Sequence, residues 1–266
     1  MNIASWTPLD HTTIPPKVKA WLDKPNVTPI AMAQNGVRQL TAAGIEHEYI
    51  PHGIDTSVYK PTDVINKQNA REFMGIKEDQ FLVGMVAANK ANGVIHRKAF
   101  AENFLAFSLF LKKYPDAVLY VHTEPIGFHG GFNLLDLAAS VGIPQDNILF
   151  PNQIDLRYGF EQVDMAGIYS AMDVLLACSM GEGFGIPTIE AQACGTRVIG
   201  SGWAATEDLV SDDCWLVDGQ PFWDEGQKSW FKIPSVPDIY TALCQAYEGE
   251  RDCLGEVLAS CFGQDA

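Results

Sequence analysis

The chain is poor in positive charge. It carries 18 Lys and Arg against 33 Asp and Glu among 266 residues, a formal net charge of −15. Such a surface repels nucleic acid and anionic lipid over most of its area, so no nucleic-acid partner is expected. It also lacks any apolar run long enough to span a bilayer. Its start, MNIASWTPLDHTTIPP, has neither a basic n-region nor an apolar h-region, so it does not read as a secretory leader. None of the six cysteines (Cys178, Cys194, Cys214, Cys244, Cys253 and Cys261) forms a C-x-x-C pair or joins a histidine cluster at zinc-ligand spacing. They are expected to be reduced core thiols of a cytoplasmic protein. No D-x-D pair occurs, and no metal and no cofactor are expected.

With 47% hydrophobic and 19% charged residues, the chain can bury a full core and is not disordered. From residue 81 onward short apolar runs alternate with longer amphipathic ones. The strand candidates are Phe81–Ala87, Val118–His122, Ile148–Phe150, Val174–Cys178, Arg197–Ile199 and Trp215–Val217. The helix candidates are Lys98–Lys113, Asn133–Val141, Asp164–Ala171, Thr188–Ala193, Thr206–Val210 and a final one from about Pro237 to Tyr247. Uninterrupted apolar strands separated by helices imply a parallel sheet covered on both faces. The expected fold class is thus α/β, a Rossmann-like doubly wound sheet whose ligands lie beyond the carboxyl ends of its strands. Before it, residues 28–50 read as a short β-α-β piece. Pro51–Lys67 has the Pro, Gly, Asp and Thr content of a linker. The expected division is 1–55 as the tail of another domain plus linker, 56–235 as the Rossmann-like domain, and 236–266 as a C-terminal helical segment. Residues 218–237 are expected to be irregular, with Trp223, Trp230 and Phe231 packing the last helix or lining a sugar subsite.

Two segments carry chemistry. Ser179–Gly195 (SMGEGFGIPTIEAQACG) follows an apolar strand. Gly181, Gly183 and Gly185 permit positive φ and close approach of a ligand to the backbone. Pro187 suits a helix's first turn, and that helix start offers free amides and a dipole to phosphate. Glu182 and Glu190 flank the loop, where carboxylates suit sugar or ribose hydroxyls better than phosphate. Asn89–Lys98 (NKANGVIHRK) follows the Phe81–Ala87 strand, and its Arg97 and Lys98 place two cations where an otherwise acidic chain must gather them to receive an anion. Asn152 and Gln153, after another strand, are candidates for the border of a base, and His129-Gly130-Gly131 for a mobile loop. His52, His96, His122 and His129 are scattered and read as structural or surface residues.

The segment EGFGIPTIEAQACG, with seven residues between Glu182 and Glu190, resembles the donor-site signature of family-4 glycosyltransferases of the GT-B fold. So do Met172–Leu176, Val198-Ile199, Pro51–Asp55 and Tyr59–Pro61, and the similarity runs from Pro51 to the last helix. The resemblance is mainly to the C-terminal, donor-binding domain. It implies a retaining, metal-independent transfer of a sugar from a nucleotide-sugar donor to an acceptor hydroxyl on a saccharide, lipid or protein. Glu190 would bond the ribose and Glu182 a hydroxyl of the transferred sugar. The amides of Gly183, Phe184 and Gly185 would meet the sugar, and Thr188 the diphosphate. Lys98 matches the family's diphosphate lysine. Asn89 stands where the family has an arginine, so Arg97 is expected to join Lys98 on the leaving diphosphate. The family's acceptor residues, including an early histidine, have no counterpart that the sequence identifies, and Asp10-His11 lies too late in the pattern to be equated with it. A partner chain supplying the acceptor half, or a non-catalytic nucleotide-sugar-binding subunit or regulator, is the alternative; a sugar-nucleotide epimerase of the same fold is a third.

Overall fold

The computed structural model describes residues 1–62, 64–91 and 93–249. The end of the expected C-terminal segment, with Cys253 and Cys261, lies outside them.

Residues 1–50 build a small parallel sheet of three strands in the order β1-β2-β3: β1 (Ile3–Thr7), β2 (Val27–Ala31) and β3 (Glu48–Tyr49). Helix α1 (Pro16–Leu22) and helix α2 (Gln34–Ala42) connect them. Pro16 sits in the first turn of α1, where its missing N–H costs nothing. Leu9, Leu22, Val27, Ala31, Leu40 and Ile45 form a separate small core. The expectation of a β-α-β piece missed β1 and α1. In β1 the inward residues alternate with exposed ones over five positions only, too short a run to stand out.

The chain then crosses to the larger sheet through helix α3 (Val64–Phe73), which begins inside the stretch expected to be linker. Next come β4 (Leu82–Val86), α4 (Phe100–Lys113), β5 (Val118–His122), α5 (Leu134–Val141), β6 (Ile148–Leu149), α6 (Gln153–Tyr158) and α7 (Gln162–Ala171). They are followed by β7 (Val174–Ala177), α8 (Ile186–Ala193), β8 (Arg197–Ser201) and β9 (Trp215–Val217). All six strands are parallel, in the order β6-β5-β4-β7-β8-β9. Strand β7 shows why the runs are apolar throughout. Val174 and Leu176 enter the core on one face with the phenylalanines of α4, while Leu175 enters the core on the other with Tyr169 and Met172. Both faces are buried, as the doubly wound reading requires. At Gly84 in β4 a Cβ would come within 2.1 Å of Met172 Sδ, so the glycine lets the end of α7 close onto the sheet.

The order reverses between β4 and β7, which are hydrogen-bonded neighbours separated in the chain by two strands and three crossovers. This is the topological switch point, where the connections leave to opposite sides and open a crevice at the strands' carboxyl ends. The two loops singled out from the sequence leave from these two strands.

Residues 218–237 are not irregular. They form an antiparallel hairpin, β10 (Gly219–Asp224) and β11 (Ser229–Pro234), ahead of helix α9 (Val236–Glu248). Asp224 and Ser229, paired across the hairpin, are both buried. Two polar residues on the inward face hide the alternation by which a hairpin is recognised. Trp223 and Trp230 do not pack α9; they pair edge to face on the outer side and remain about 40% exposed.

Candidate functional site at the strand switch point

The loop after β4 and the loop after β7 meet through charge. Glu182 takes Lys98 Nζ on Oε1 at 2.5 Å and Arg97 Nη1 on Oε2 at 3.0 Å. Arg97 Nη1 also donates to the carbonyl of Gly181. A backbone bond ties the two loops together, Met180 N donating to Arg97 O at 2.8 Å, and the carbonyl of Met180 accepts from the side-chain Nε1 of Trp203, after β8, at 2.9 Å. Burial pulls the Glu182 pKa up, but Lys98 and Arg97 outweigh it and hold the carboxyl below its ordinary value. Its contribution to stability is therefore present above the ordinary carboxylate range and is lost as pH falls through the lowered folded value.

Helix α8 starts at Ile186 with Pro187 in its first turn and Gly185 as its N-terminal cap, at φ +113°. Gly185 thus needs to be glycine for its conformation. Gly181 and Gly183 do not have positive φ. Their missing side chains serve another purpose: a Cβ on Gly181 would stand 1.9 Å from Asp10 O, and one on Gly183 2.3 Å from Pro8 Cβ. The segment after β1 lies across the glycine loop. Thr188, Lys98 and Glu182 line a slot of about 30 Å³ between the ends of β4 and β7. The Phe184 ring is buried, 5.0 Å from His52.

Glu190 is placed apart from the cation pair. It accepts from Tyr169 Oη at 2.8 Å, and Tyr59 bonds it as well. Burial raises its pKa against these two bonds. A carboxyl whose folded pKa is raised stabilises the fold below its unfolded pKa, and that contribution disappears as pH rises through the folded value. Glu190→Gln, which keeps the acceptor oxygen for Tyr169, is therefore expected to raise the melting temperature at about pH 8 and leave it unchanged at about pH 4. Each kcal/mol gained corresponds to about 2–4 °C for a chain of this size. Thermal melts at the two pH values check it; a destabilised variant at pH 8 refutes the burial argument.

Asn89 borders the crevice at the ends of β4 and β5, but its side chain is already engaged. It is 2% exposed. Its Nδ2 donates to Phe132 O at 2.7 Å and Glu124 O at 3.1 Å, and its Oδ1 accepts from Phe132 N. The amide side chain thus pins the loop after β5, which is the role its hydrogen bonds give it. Lys90, its exposed neighbour, has no carboxylate within ion-pair distance among the described residues. Lys90, Lys98, Glu124, Phe128, Gln153 and Arg157 line a crevice of about 1100 Å³ at the ends of β4 and β5. Arg157 lies 5.5 Å over the Phe128 ring. Gln153 and His129 line it too, whereas Asn152 caps α6. His122, also in its wall, is pushed down to about 4 by burial and bonds Tyr120 Oη at 2.8 Å. His52 packs between Trp6 and Phe184, and His96 stacks on Phe132 at 3.5 Å. Burial lowers the pKa of both.

Sequence reasoning passed over a second set. His11 Nδ1 bonds Asp10 Oδ1 at 2.8 Å, and Nε2 bonds Asp224 Oδ2 at 3.2 Å. The ring stacks on Phe231 at 3.8 Å, and Asp10 Oδ2 reaches Arg97 Nε at 3.5 Å. A chain of polar contacts thus runs from the hairpin through Asp224, His11, Asp10 and Arg97 to Glu182 and Lys98. Asp10 and His11 follow the carboxyl end of a parallel strand, the signal that would have marked them had β1 been recognised. Asp224 is distant in sequence and only folding brings it in. Among the described residues no group of three or more His, Cys, Asp or Glu could hold a metal ion, and no helix is long and apolar enough to cross a membrane.

Residues 136–224 match the family model described as glycosyl transferases group 1. A D-inositol 3-phosphate glycosyltransferase of Mycobacterium ulcerans (strain Agy99) is 28% identical over 165 residues, 60% of this chain and 31% of the relative. The chain spans about a third of the length of the curated relatives it matches. A glycosyltransferase structure from Rickettsia africae superposes with a TM-score of 0.72 at 14% identity, over 96% of this chain and 65% of that one. The structure of Anabaena Alr3699/HepE in complex with UDP-glucose superposes with a TM-score of 0.62 at 19% identity, over 89% of this chain and 60% of that one. Residues 136–224 are thus similar to the group 1 glycosyltransferases, and the six-stranded sheet with its switch-point loops has the Rossmann-like fold of the C-terminal domain of GT-B glycosyltransferases.

Proposed function

We propose that the switch-point site binds a nucleotide-diphosphate sugar and that the protein transfers the sugar, with retention and without a metal, to an acceptor hydroxyl. The observation that carries this reading is the convergence of Arg97 and Lys98 on the glycine loop at the start of α8. Cations and helix amides at one point suit a diphosphate. They also stabilise it as it leaves with the electrons of the broken bond, which lets charge do work otherwise given to a metal. Glu182 neutralises these cations. An entering diphosphate would share them, and Glu182 would turn an oxygen to a hydroxyl of the sugar. Lys90 and Arg157, in the wall of the neighbouring crevice, would supply further positive charge along the nucleotide. The UDP-glucose bound by the Anabaena protein of the same fold supports a donor of this class.

A thermal-shift screen with UDP, GDP and ADP tests it. At 100 times its dissociation constant the cognate nucleotide adds about 2.7 kcal/mol of stability, or about 5–10 °C. Arg97→Ala should lose most of the shift. A protein that responds to none of the three at millimolar concentration does not have this function.

A further inference from the structure

On the face of the large sheet opposite α4, helices α3, α6 and α7 surround a groove of about 800 Å³. Tyr120 and Ile168 lie in its floor and are buried. Its rim is apolar and bare: Phe73, Tyr158 and Val163 are 91%, 89% and 68% exposed. Side chains of this size gain by burial, and an apolar rim around a groove marks a contact site. Gly167, inside α7, lines the same groove. A glycine within a helix destabilises it relative to alanine. At Gly84 the missing Cβ makes room for Met172, but at Gly167 a Cβ would meet no atom within 4 Å, and the φ of Gly167 is not positive. No neighbour inside the chain needs that space. Asp155 and Asp164 also line the groove. Neither has a Lys, Arg or His within ion-pair distance among the described residues.

We propose that this groove docks an amphipathic, basic helix of a partner protein. The apolar side of that helix covers Phe73, Tyr158 and Val163, its Lys or Arg residues meet Asp155 and Asp164, and its backbone comes close over Gly167. The proposal is independent of the donor reading above. Charge selects the occupant. A second copy of this chain would bring the same carboxylates and the same net charge of −15, which opposes self-pairing, and an anionic membrane is repelled for the same reason. A basic partner is attracted by both the rim and the whole molecule. Shape selects a helix. The sheet edge beside the groove, β6, is two residues long, too short to pair an extended peptide, whose affinity comes from backbone bonds to a strand edge. A helix satisfies its own backbone and needs only side-chain contacts. Phe73 and Tyr158 are the aromatic anchors on which such contacts concentrate their energy. Helix α6 divides this groove from the donor crevice: Asp155 and Tyr158 line the groove, whereas Gln153 and Arg157 line the crevice. The partner therefore docks without covering the nucleotide.

The test is fluorescence anisotropy with a labelled helical peptide of about four turns, roughly 14 residues, that carries leucines on one face and lysines on the other. A second peptide has the same leucines and glutamates in place of the lysines. The full chain is expected to bind the lysine peptide in the micromolar range and the glutamate peptide at least about tenfold more weakly. Phe73→Ser should weaken the lysine peptide by about tenfold or more, the loss typical of an aromatic anchor. Gly167→Leu should abolish binding by filling the close-approach position. The same variant should melt about 1–4 °C higher than the parent, because a good helix former enters empty space. That pairing of a more stable fold with lost binding is what a purely structural glycine would not give. Failure of the parent to bind the lysine peptide overturns the proposal. So does binding that survives both Phe73→Ser and Gly167→Leu, which puts the peptide elsewhere on the acidic surface, or a Gly167→Leu protein that melts lower than the parent. Two further results overturn it by naming another occupant: cosedimentation with phosphatidylcholine vesicles that Phe73→Ser removes, or a parent dimer that Phe73→Ser dissociates.

Discussion

Lys98→Ala is expected to lower turnover of the cognate nucleotide sugar by about 10²–10³-fold, the usual loss when one preorganised electrostatic partner of a developing charge is removed. Lys98 makes the short contact to Glu182, at 2.5 Å, and lines the slot, the donor crevice and a neighbouring cavity of about 320 Å³ between the segment after β1, the loop after β4 and the hairpin. No other described residue stands in all three. The loss should fall mainly on kcat, because a leaving diphosphate carries more charge on its bridging oxygen than a bound one. Folding should survive, since Glu182 keeps Arg97 at 3.0 Å. Lys113→Ala is the control: Lys113 pairs with Glu248 on the exposed surface at 2.7 Å, and such pairs contribute little. Steady-state kinetics of both variants decide the matter. If Lys98→Ala turns over like the parent, the leaving group is stabilised elsewhere.

Gly181→Ala is expected to cost stability at the upper end of the range for overpacking, about 3 kcal/mol, and to lower transfer by at least about tenfold. The added Cβ would meet a backbone carbonyl, Asp10 O, at 1.9 Å, and a carbonyl cannot turn aside as a flexible side chain can. Either the glycine loop or the segment after β1 must move, and both carry charges of the one network. Gly195→Ala is a useful comparison. There a Cβ would touch only Pro61, at 3.8 Å, and the strain comes from its φ of +80° alone. Chemical denaturation of the two variants separates a collision between segments from backbone strain. A Gly181→Ala protein as stable and as active as the parent would show that the two segments are not packed as described.

Much of the site was legible because its parts are local. A strand, a glycine turn and a helix start lie within Val174–Ala193, and Pro187 and the glycines announce the turn in the residues themselves. Arg97 and Lys98 stood out as a basic pair in an acidic chain. The larger domain was legible for a similar reason: strands buried on both faces write uninterrupted apolar runs, and Val118–His122 and Trp215–Val217 were located to the residue. Where meaning depended on a distant partner, local pattern misled. Asn89 occupies an arginine's place in the family pattern, yet its amide is consumed by Phe132 and Glu124 across the loop after β5. Gly181 and Gly183 were read as room for a ligand, and the room is filled by Pro8 and Asp10. The hairpin was hidden because its inward Asp224 answers a histidine 213 residues away.

The sequence by itself determined the fold class, the loop at the carboxyl end of β7 and the chemistry of the anion it is proposed to receive. Hydrophobic periodicity and turn residues act over a few positions and are written where they act. Tertiary structure alone decided that Glu182 sits between two cations while Glu190 sits between two phenols, and that Asp10, His11 and Asp224 join the same network. Those assignments depend on which side chains meet across the switch point, and a buried charge is defined by the neighbours that compensate it, wherever in the chain they come from.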